Sequence, residues 1–100
     1  MSKVIYRFPI DMEEAAATGG RVELVLPLGA RILYVAAQER APNQPSMWVL
    51  LDPAREPVRH VFRIYSTGQE GELPPDYIGT WQQHGFVWHL FEELEETSTT

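Results

Sequence analysis

The chain has 100 residues, of which 44% are hydrophobic and 22% are charged, and its formal net charge is −6. This length and composition predict one folded domain and exclude a disordered chain. The chain has no cysteine, which excludes disulfides, thiolate metal sites and cysteine nucleophiles.

Seven segments have the pattern of β-strands, either alternating apolar and polar residues or a short apolar run. They cover residues 3–9, 21–26, 31–38, 47–51, 59–65, 77–82 and 86–91. The apolar run 47–51 predicts a central strand covered on both faces. Asp11, followed by two acids and an alanine run, predicts either a short helix near residues 12–18 or an ordered loop. The predicted fold class is therefore mainly β, with about seven antiparallel strands in a small sandwich or barrel.

Turn residues predict how these strands pair. Residues 27–30 suit a hairpin between the second and third strands, and residues 52–57 suit one between the fourth and fifth. Residues 83–85 predict a tight hairpin between the last two strands, because Gly85 can adopt the positive φ that such a turn needs. Two prolines and an asparagine in 41–46 are expected to interrupt regular structure.

The chain is expected to be a single domain over residues 1–91, followed by a frayed acidic tail over residues 92–100. No segment has the pattern of a signal peptide or approaches the roughly 20 apolar residues of a membrane span. A cytoplasmic protein without a membrane partner is therefore expected. Direct nucleic-acid binding is not expected, because such binding depends on a basic excess that neutralises phosphates.

Catalytic and metal-binding motifs are not found in the sequence. The three histidines, His60, His84 and His89, lack the short spacing of metal ligands. There is no Gly-x-Ser-x-Gly elbow, and the glycines of 68–71 lack the lysine of a phosphate-binding loop. We therefore expect a non-enzymatic protein that uses no metal and no cofactor.

Aromatic residues are concentrated in the second half of the chain. They include Trp48, Tyr65, Tyr77, Trp81, Phe86 and Trp88. Core packing is the favoured interpretation, because aromatic residues are preferred in strands. The alternative is a surface that stacks a base or anchors an interface. For a small-molecule site, the candidate binding residues are Arg63, Tyr65, Thr67, Trp81 and His84, with Arg63 holding a phosphate and an aromatic ring stacking the base.

Several segments resemble those of a known family. The segments are YRFP at 6–9, GARILYV at 29–35, MWVLLDP at 47–53, RIYSTG at 63–68, YIGTWQ at 77–82 and FVWHLFE at 86–92. Together they resemble a family of small uncharacterised proteins encoded by tailed bacteriophages and prophages. The resemblance implies a phage protein that acts in the cytoplasm of an infected or lysogenic bacterium. It implies no mechanism, because the family has no established activity.

Three hypotheses for function follow. The first is a non-enzymatic module that binds and modulates a host bacterial protein, such as a defence component, with an acidic surface that competes for a basic site. The second is a protein that binds or sequesters a small nucleotide. The third is a virion or assembly accessory protein, in which exposed strand edges pair between copies and a homodimer forms.

Overall fold

The chain folds into two antiparallel β-sheets and one short helix. The computed structural model describes residues 2–38, 41–83 and 85–96, and for 41–43 and 94–96 it describes the backbone only. The elements are β1 (Val4–Pro9), α1 (Met12–Ala17), β2 (Arg21–Pro27), β3 (Arg31–Gln38), β4 (Ala41–Leu51), β5 (Pro57–Ser66), β6 (Asp76–Gln83) and β7 (Phe86–Glu96). The three-stranded sheet has the order β1-β4-β3, and the four-stranded sheet has the order β2-β5-β7-β6. The mainly-β prediction is confirmed, and within the described ranges the sheets do not close into a barrel.

The hydrophobic core lies between the two sheets. Met47 and Val49 of β4 and Phe62 and Leu90 of the four-stranded sheet are all 0% exposed. Because side chains alternate between the faces of a strand, each of these strands turns every second residue inward. Burial of such side chains contributes about 1.5–3 kcal/mol each to folding. No helix among the described residues is long and apolar enough to cross a membrane.

The predicted helix is confirmed as α1, and its start is set by Asp11. The Oδ1 atom of Asp11 accepts hydrogen bonds from the backbone N–H groups of Glu13 at 3.1 Å and Glu14 at 3.0 Å. This N-cap satisfies donors that have no partner inside the helix. Ala15 is buried, which packs α1 against the four-stranded sheet.

Two of the three predicted hairpins are wrong. β2 and β3 lie in different sheets, as do β4 and β5. Residues 27–30 and 52–56 are instead arches that carry the chain between sheets, and they lie side by side, because Leu28 N–H donates to the Glu56 carbonyl at 2.7 Å. Turn composition does not separate an arch from a hairpin, since both use proline and glycine. The hairpin between β6 and β7 is confirmed, with Gly85 at φ 79°.

The predicted interruption at residues 41–46 is also wrong, because β4 begins at Ala41. Pro45 has no N–H, but its carbonyl accepts a hydrogen bond from Ile10 N–H at 2.8 Å. The pairing of β4 with β3 shifts between Ala37 and Gln38. This irregularity accommodates proline in the strand.

The coverage of β4 and the start of the acidic tail also differ from the prediction. β4 is the central strand of its sheet, but Trp48 and Leu50 are only half-buried, so one face of the run is not fully covered.

The predicted tail starts too early, because β7 continues to Glu96 and pairs with β5. Residues 97–100 lie outside the described residues.

Candidate functional site

The five residues predicted to bind a ligand do not converge on one site. The Nε of Arg63 donates to Glu93 Oε1 at 2.6 Å, so its guanidinium already holds a carboxylate. Trp81 is 4% exposed and belongs to the core, where its ring is not available for stacking on a ligand. Tyr65 and Thr67 line one cavity. His84 lies outside the described residues.

The cavity at Tyr65 and Thr67 lies on the outer face of the four-stranded sheet and has a volume of about 280 Å³. It is lined by Tyr65, Ser66, Thr67, Gly68, Gln69, Leu73, His89 and Phe91. The Tyr65 ring packs edge-on against Phe91 at 5.9 Å, and its hydroxyl donates to the Glu72 carbonyl at 3.1 Å. The lining contains no Arg or Lys, so a phosphate would meet no guanidinium or ammonium group there. The lining therefore favours a neutral ligand over a nucleotide.

His89 links this cavity to a chain of hydroxyl groups, which the sequence analysis did not identify. Its Nε2 lies 2.8 Å from Thr67 Oγ1, and its Nδ1 lies 3.0 Å from Thr80 Oγ1. Thr80 Oγ1 also lies 2.5 Å from the hydroxyl of Tyr77. Both imidazole nitrogens are therefore engaged. Within the described ranges, no group of three or more His, Asp or Glu side chains is placed to hold a metal ion.

A second cavity of about 280 Å³ lies between α1 and the four-stranded sheet. It is lined by Met12, Ala15, Ala16, Gly19, Gly20, Ile64, Gln69 and Trp88. None of these side chains is charged. The Nε1 of Trp88 is buried and has no hydrogen-bond partner among the described residues.

His60 and Glu92 form a polar pair on the inner face of the four-stranded sheet. His60 is 5% exposed, and its Nδ1 lies 2.7 Å from Glu92 Oε2. The His60 ring stacks on Phe62 with centroids 6.1 Å apart, and its Nε2 is buried without a partner in the described part of the chain. The strand pattern placed His60 on the face of Phe62, but the partner across the sheet could not be read from it.

The charged side chains on the outer face of the four-stranded sheet neutralise one another. Glu23 accepts hydrogen bonds from Arg21 at 2.8 Å and from Arg59 at 2.6 Å. Arg63 pairs with Glu93 across β5 and β7. Among the side chains that the structure describes, this face therefore offers few unpaired charges to a partner.

The outer face of the three-stranded sheet differs in both shape and charge. The strand register places its side chains in two cross-strand rows. One row is Ile5, Leu50 and Arg31, and the other is Arg7, Trp48 and Tyr34. We call these six residues the aromatic-basic face. Ile5 is 53% exposed and Tyr34 is 62% exposed, and the rings of Tyr34 and Trp48 lie 5.9 Å apart.

Positive charge on the aromatic-basic face is not balanced by acids. The strands β1, β3 and β4 contain no Asp or Glu, whereas β2, β6 and β7 all contain them. Arg7 Nη1 donates to Ser46 Oγ at 3.1 Å, and among the described residues neither Arg7 nor Arg31 pairs with a carboxylate. The two sheets thus separate unpaired cations from paired and acidic groups.

A comparison with protein families finds a match over residues 1–100, to the family described as Domain of unknown function (DUF7352). The chain belongs to this family. No curated protein and no solved structure matches the chain. Membership confirms the expectation of an uncharacterised family.

Proposed function

We propose that the chain is a phage- or prophage-encoded, non-enzymatic module that binds and modulates a protein of the bacterial host through the aromatic-basic face. The observation that carries the proposal is the composition of this face, where exposed Tyr34 and Ile5 lie on the same side of the sheet as Trp48. Its two arginines have no carboxylate partner among the described residues. Trp, Tyr and Arg are the residues most enriched among those that dominate binding energy in protein interfaces.

The partner that fits this face has an apolar centre and acidic residues around it. The net charge of −6 opposes such a partner at long range. However, charge is screened over about 8 Å at physiological ionic strength. Glu23 and Glu93 lie on the other sheet and are already paired with arginines. We therefore expect Arg7 and Arg31 to supply the short-range attraction that a docking partner meets on this face.

Two observations favour this face over the alternatives from the sequence. An acidic surface that competes for a basic host site has less support, because Glu23 and Glu93 are already paired with arginines. A nucleotide site has less support, because the cavity at Tyr65 has no Arg or Lys in its lining. The resemblance to phage proteins is the reason for choosing a host protein in the bacterial cytoplasm, including a defence component, as the partner.

Site-specific photo-cross-linking tests the proposal directly. A photo-reactive phenylalanine at Tyr34 is expected to form a specific adduct with one host protein in bacterial cells, because this position is 62% exposed on the aromatic-basic face. The matched control carries the same group at Val25 of β2, which is 64% exposed on the other sheet. Trp48→Ala should abolish the Tyr34 adduct. Equal adducts from Tyr34 and Val25 would contradict a face-specific interaction.

The charge of the partner can then be measured with purified components. The double substitution Arg7→Gln/Arg31→Gln is expected to weaken binding of the cross-linked partner about tenfold, because exposed ion pairs contribute roughly 0.5–1 kcal/mol each. It should also flatten the dependence of affinity on salt. Arg55→Gln is the control, since Arg55 is exposed and contacts its neighbour Glu56 at 3.5 Å. An unchanged salt dependence in the double variant would exclude an acidic partner surface.

A second candidate function is the binding of a small neutral ligand in the cavity at Tyr65. The specific observation is a lining without Arg, Lys, Asp or Glu, in which Phe91 and Leu73 are apolar walls. A ligand at 100 times its dissociation constant adds about 2.7 kcal/mol of stability. In a thermal-unfolding screen, free nucleosides should then raise the melting temperature more than nucleotides, and Phe91→Ala should remove the effect. No shift with any nucleoside would count against this function.

A further inference from the structure

Strand β1 has a free edge with unpaired backbone groups. Within the described ranges, β1 pairs with β4 alone. Ile10 N–H donates to the Pro45 carbonyl, and this contact continues the register Pro9↔Ser46. Hydrogen-bonded and non-hydrogen-bonded pairs alternate along an antiparallel ladder. The residues bonded to β4 are therefore Val4, Tyr6 and Phe8. The N–H and C=O groups of Ile5 and Arg7 point to the free edge.

The side chains of β1 are also exposed on both faces. Val4 is 36% exposed and Tyr6 is 48% exposed on the side of the core, and Ile5 is 53% exposed on the other side. The other sheet edges are closer to neighbours, since β3 lies against β6 and α1 lies against β2. A long, apolar, exposed edge strand is a template for pairing with another chain.

We propose that two copies of the chain pair through β1, antiparallel and in the register that places Tyr6 opposite Tyr6 of the second copy. Ile5 of each copy and Arg7 of the other then form a pair of backbone hydrogen bonds, in which each N–H donates to the carbonyl of the residue opposite. The two three-stranded sheets become one continuous sheet. This inference does not depend on the host partner proposed above. A monomeric chain would leave that proposal intact.

The positions of the charges favour this register over its two nearest alternatives. The free-edge groups belong to odd-numbered residues, so only registers that pair odd with odd residues form hydrogen bonds. A register centred on Ile5 would place Lys3 opposite Arg7, and one centred on Arg7 would place two Arg7 side chains opposite each other. Like charges directly opposite are destabilising. The register centred on Tyr6 instead places Arg7 opposite Ile5 and Lys3 opposite Pro9.

The same register matches the apolar side chains. On the side of the core, Val4 lies opposite Phe8 of the second copy, and the two Tyr6 side chains meet at the two-fold axis. The surface of Val4 and Tyr6 that the four-stranded sheet leaves exposed is then covered by the second copy. On the other side, the two aromatic-basic faces become neighbours on one surface. A symmetric, self-complementary contact of this kind gives a closed dimer rather than a filament.

A single introduced cysteine tests the pairing, because the chain has none of its own. Tyr6 lies in a non-hydrogen-bonded pair of the dimer, where Cα atoms are about 4.5 Å apart, within the range that a disulfide spans. Tyr6→Cys is therefore expected to form a covalent dimer rapidly under mild oxidation. Val4→Cys is the matched control on the same face. In this register the two Val4 residues are offset by four positions and lie about 13 Å apart, too far for a disulfide, so no covalent dimer is expected.

Sedimentation of cysteine-free chains gives an independent measurement. The unsubstituted chain should sediment as a dimer at high micromolar concentration, and Ile5→Pro should be monomeric because it removes a free-edge N–H without breaking a bond to β4. Ile5→Ala keeps that N–H and should retain the dimer. A monomeric unsubstituted chain would overturn the proposal. A dimer in which Val4→Cys cross-links as fast as Tyr6→Cys would also overturn it, because the register would then differ.

Discussion

Replacing Glu92 with leucine is expected to lower the free energy of unfolding by about 3 kcal/mol, because it breaks a buried polar pair and leaves one partner behind. The His60 side chain is 7% exposed and the Glu92 side chain is 18% exposed. After the substitution, neither nitrogen of the buried His60 ring has a partner among the described residues. Urea unfolding at one fixed pH measures the loss.

The reverse substitution and the double variant test this explanation. His60→Leu should cost less than Glu92→Leu, because the more exposed carboxylate can still reach water. His60→Leu/Glu92→Leu should be more stable than Glu92→Leu alone, since an apolar pair leaves no buried polar atom. Glu56→Leu, at a side chain that is 65% exposed, is the control and should change stability by less than about 0.5 kcal/mol. Additive losses in the double variant would show that the pair does not interact.

Gly79→Ala is expected to destabilise the protein by about 1–3 kcal/mol, although alanine is usually favoured over glycine within a strand. β6 approaches β3 at this position, and an added Cβ would overlap Val35 Cγ1 and lie 3.6 Å from Val35 Cβ. Val35 is 3% exposed in the core and cannot move aside without disturbing its neighbours. Thermal and urea unfolding measure the effect.

A double-mutant cycle isolates the contact between Gly79 and Val35. Val35→Ala removes the atom that the new Cβ would meet, so Gly79→Ala should cost less in that background. Gln82→Ala in the same strand, at an exposed position, should have little effect. If Gly79→Ala costs the same in both backgrounds, the close approach of β6 to β3 is not the cause.

Local signals in the sequence were sufficient to predict the helix and the existence of the seven strands, although not the extent of β4 and β7. The alternation of Val4, Tyr6 and Phe8 indicated β1, Asp11 indicated the start of α1, and Gly85 indicated the turn between β6 and β7. Each of these signals depends on residues that are adjacent in the chain. Such signals are independent of how the sheets are assembled.

The pairing of distant strands could not be predicted in the same way. Residues 27–30 have the composition of a hairpin turn, but the pairing of β2 with β5 decides that they form an arch. The prolines in residues 41–46 suggested a break, but an irregular ladder with β3 and the bond from Ile10 keep this segment in a strand. Register and sheet order depend on which faces are buried, and this information is not local.

The aromatic-basic face was missed for the same reason. Ile5, Tyr34 and Trp48 are widely separated in the sequence, and only the order β1-β4-β3 makes them neighbours. Arg63 and Trp81 were chosen instead because they belong to the second half of the chain, where the aromatic residues are concentrated. The structure pairs Arg63 with Glu93 and buries Trp81. The separation of charge between the sheets becomes visible only after each strand is assigned to its sheet.

The three indole N–H groups offer the most direct test of the claim that the aromatic-basic face binds a protein partner. Trp48 lies on this face, Trp81 lies in the core, and Trp88 lines the cavity beside α1. In nitrogen–proton NMR spectra, with the Trp48 signal assigned by Trp48→Phe, the cross-linked partner is added to the labelled chain. We predict that the Trp48 indole signal shifts or broadens while the other two stay in place. A shift of the Trp88 signal with an unchanged Trp48 signal would contradict the account and move the binding surface to the four-stranded sheet.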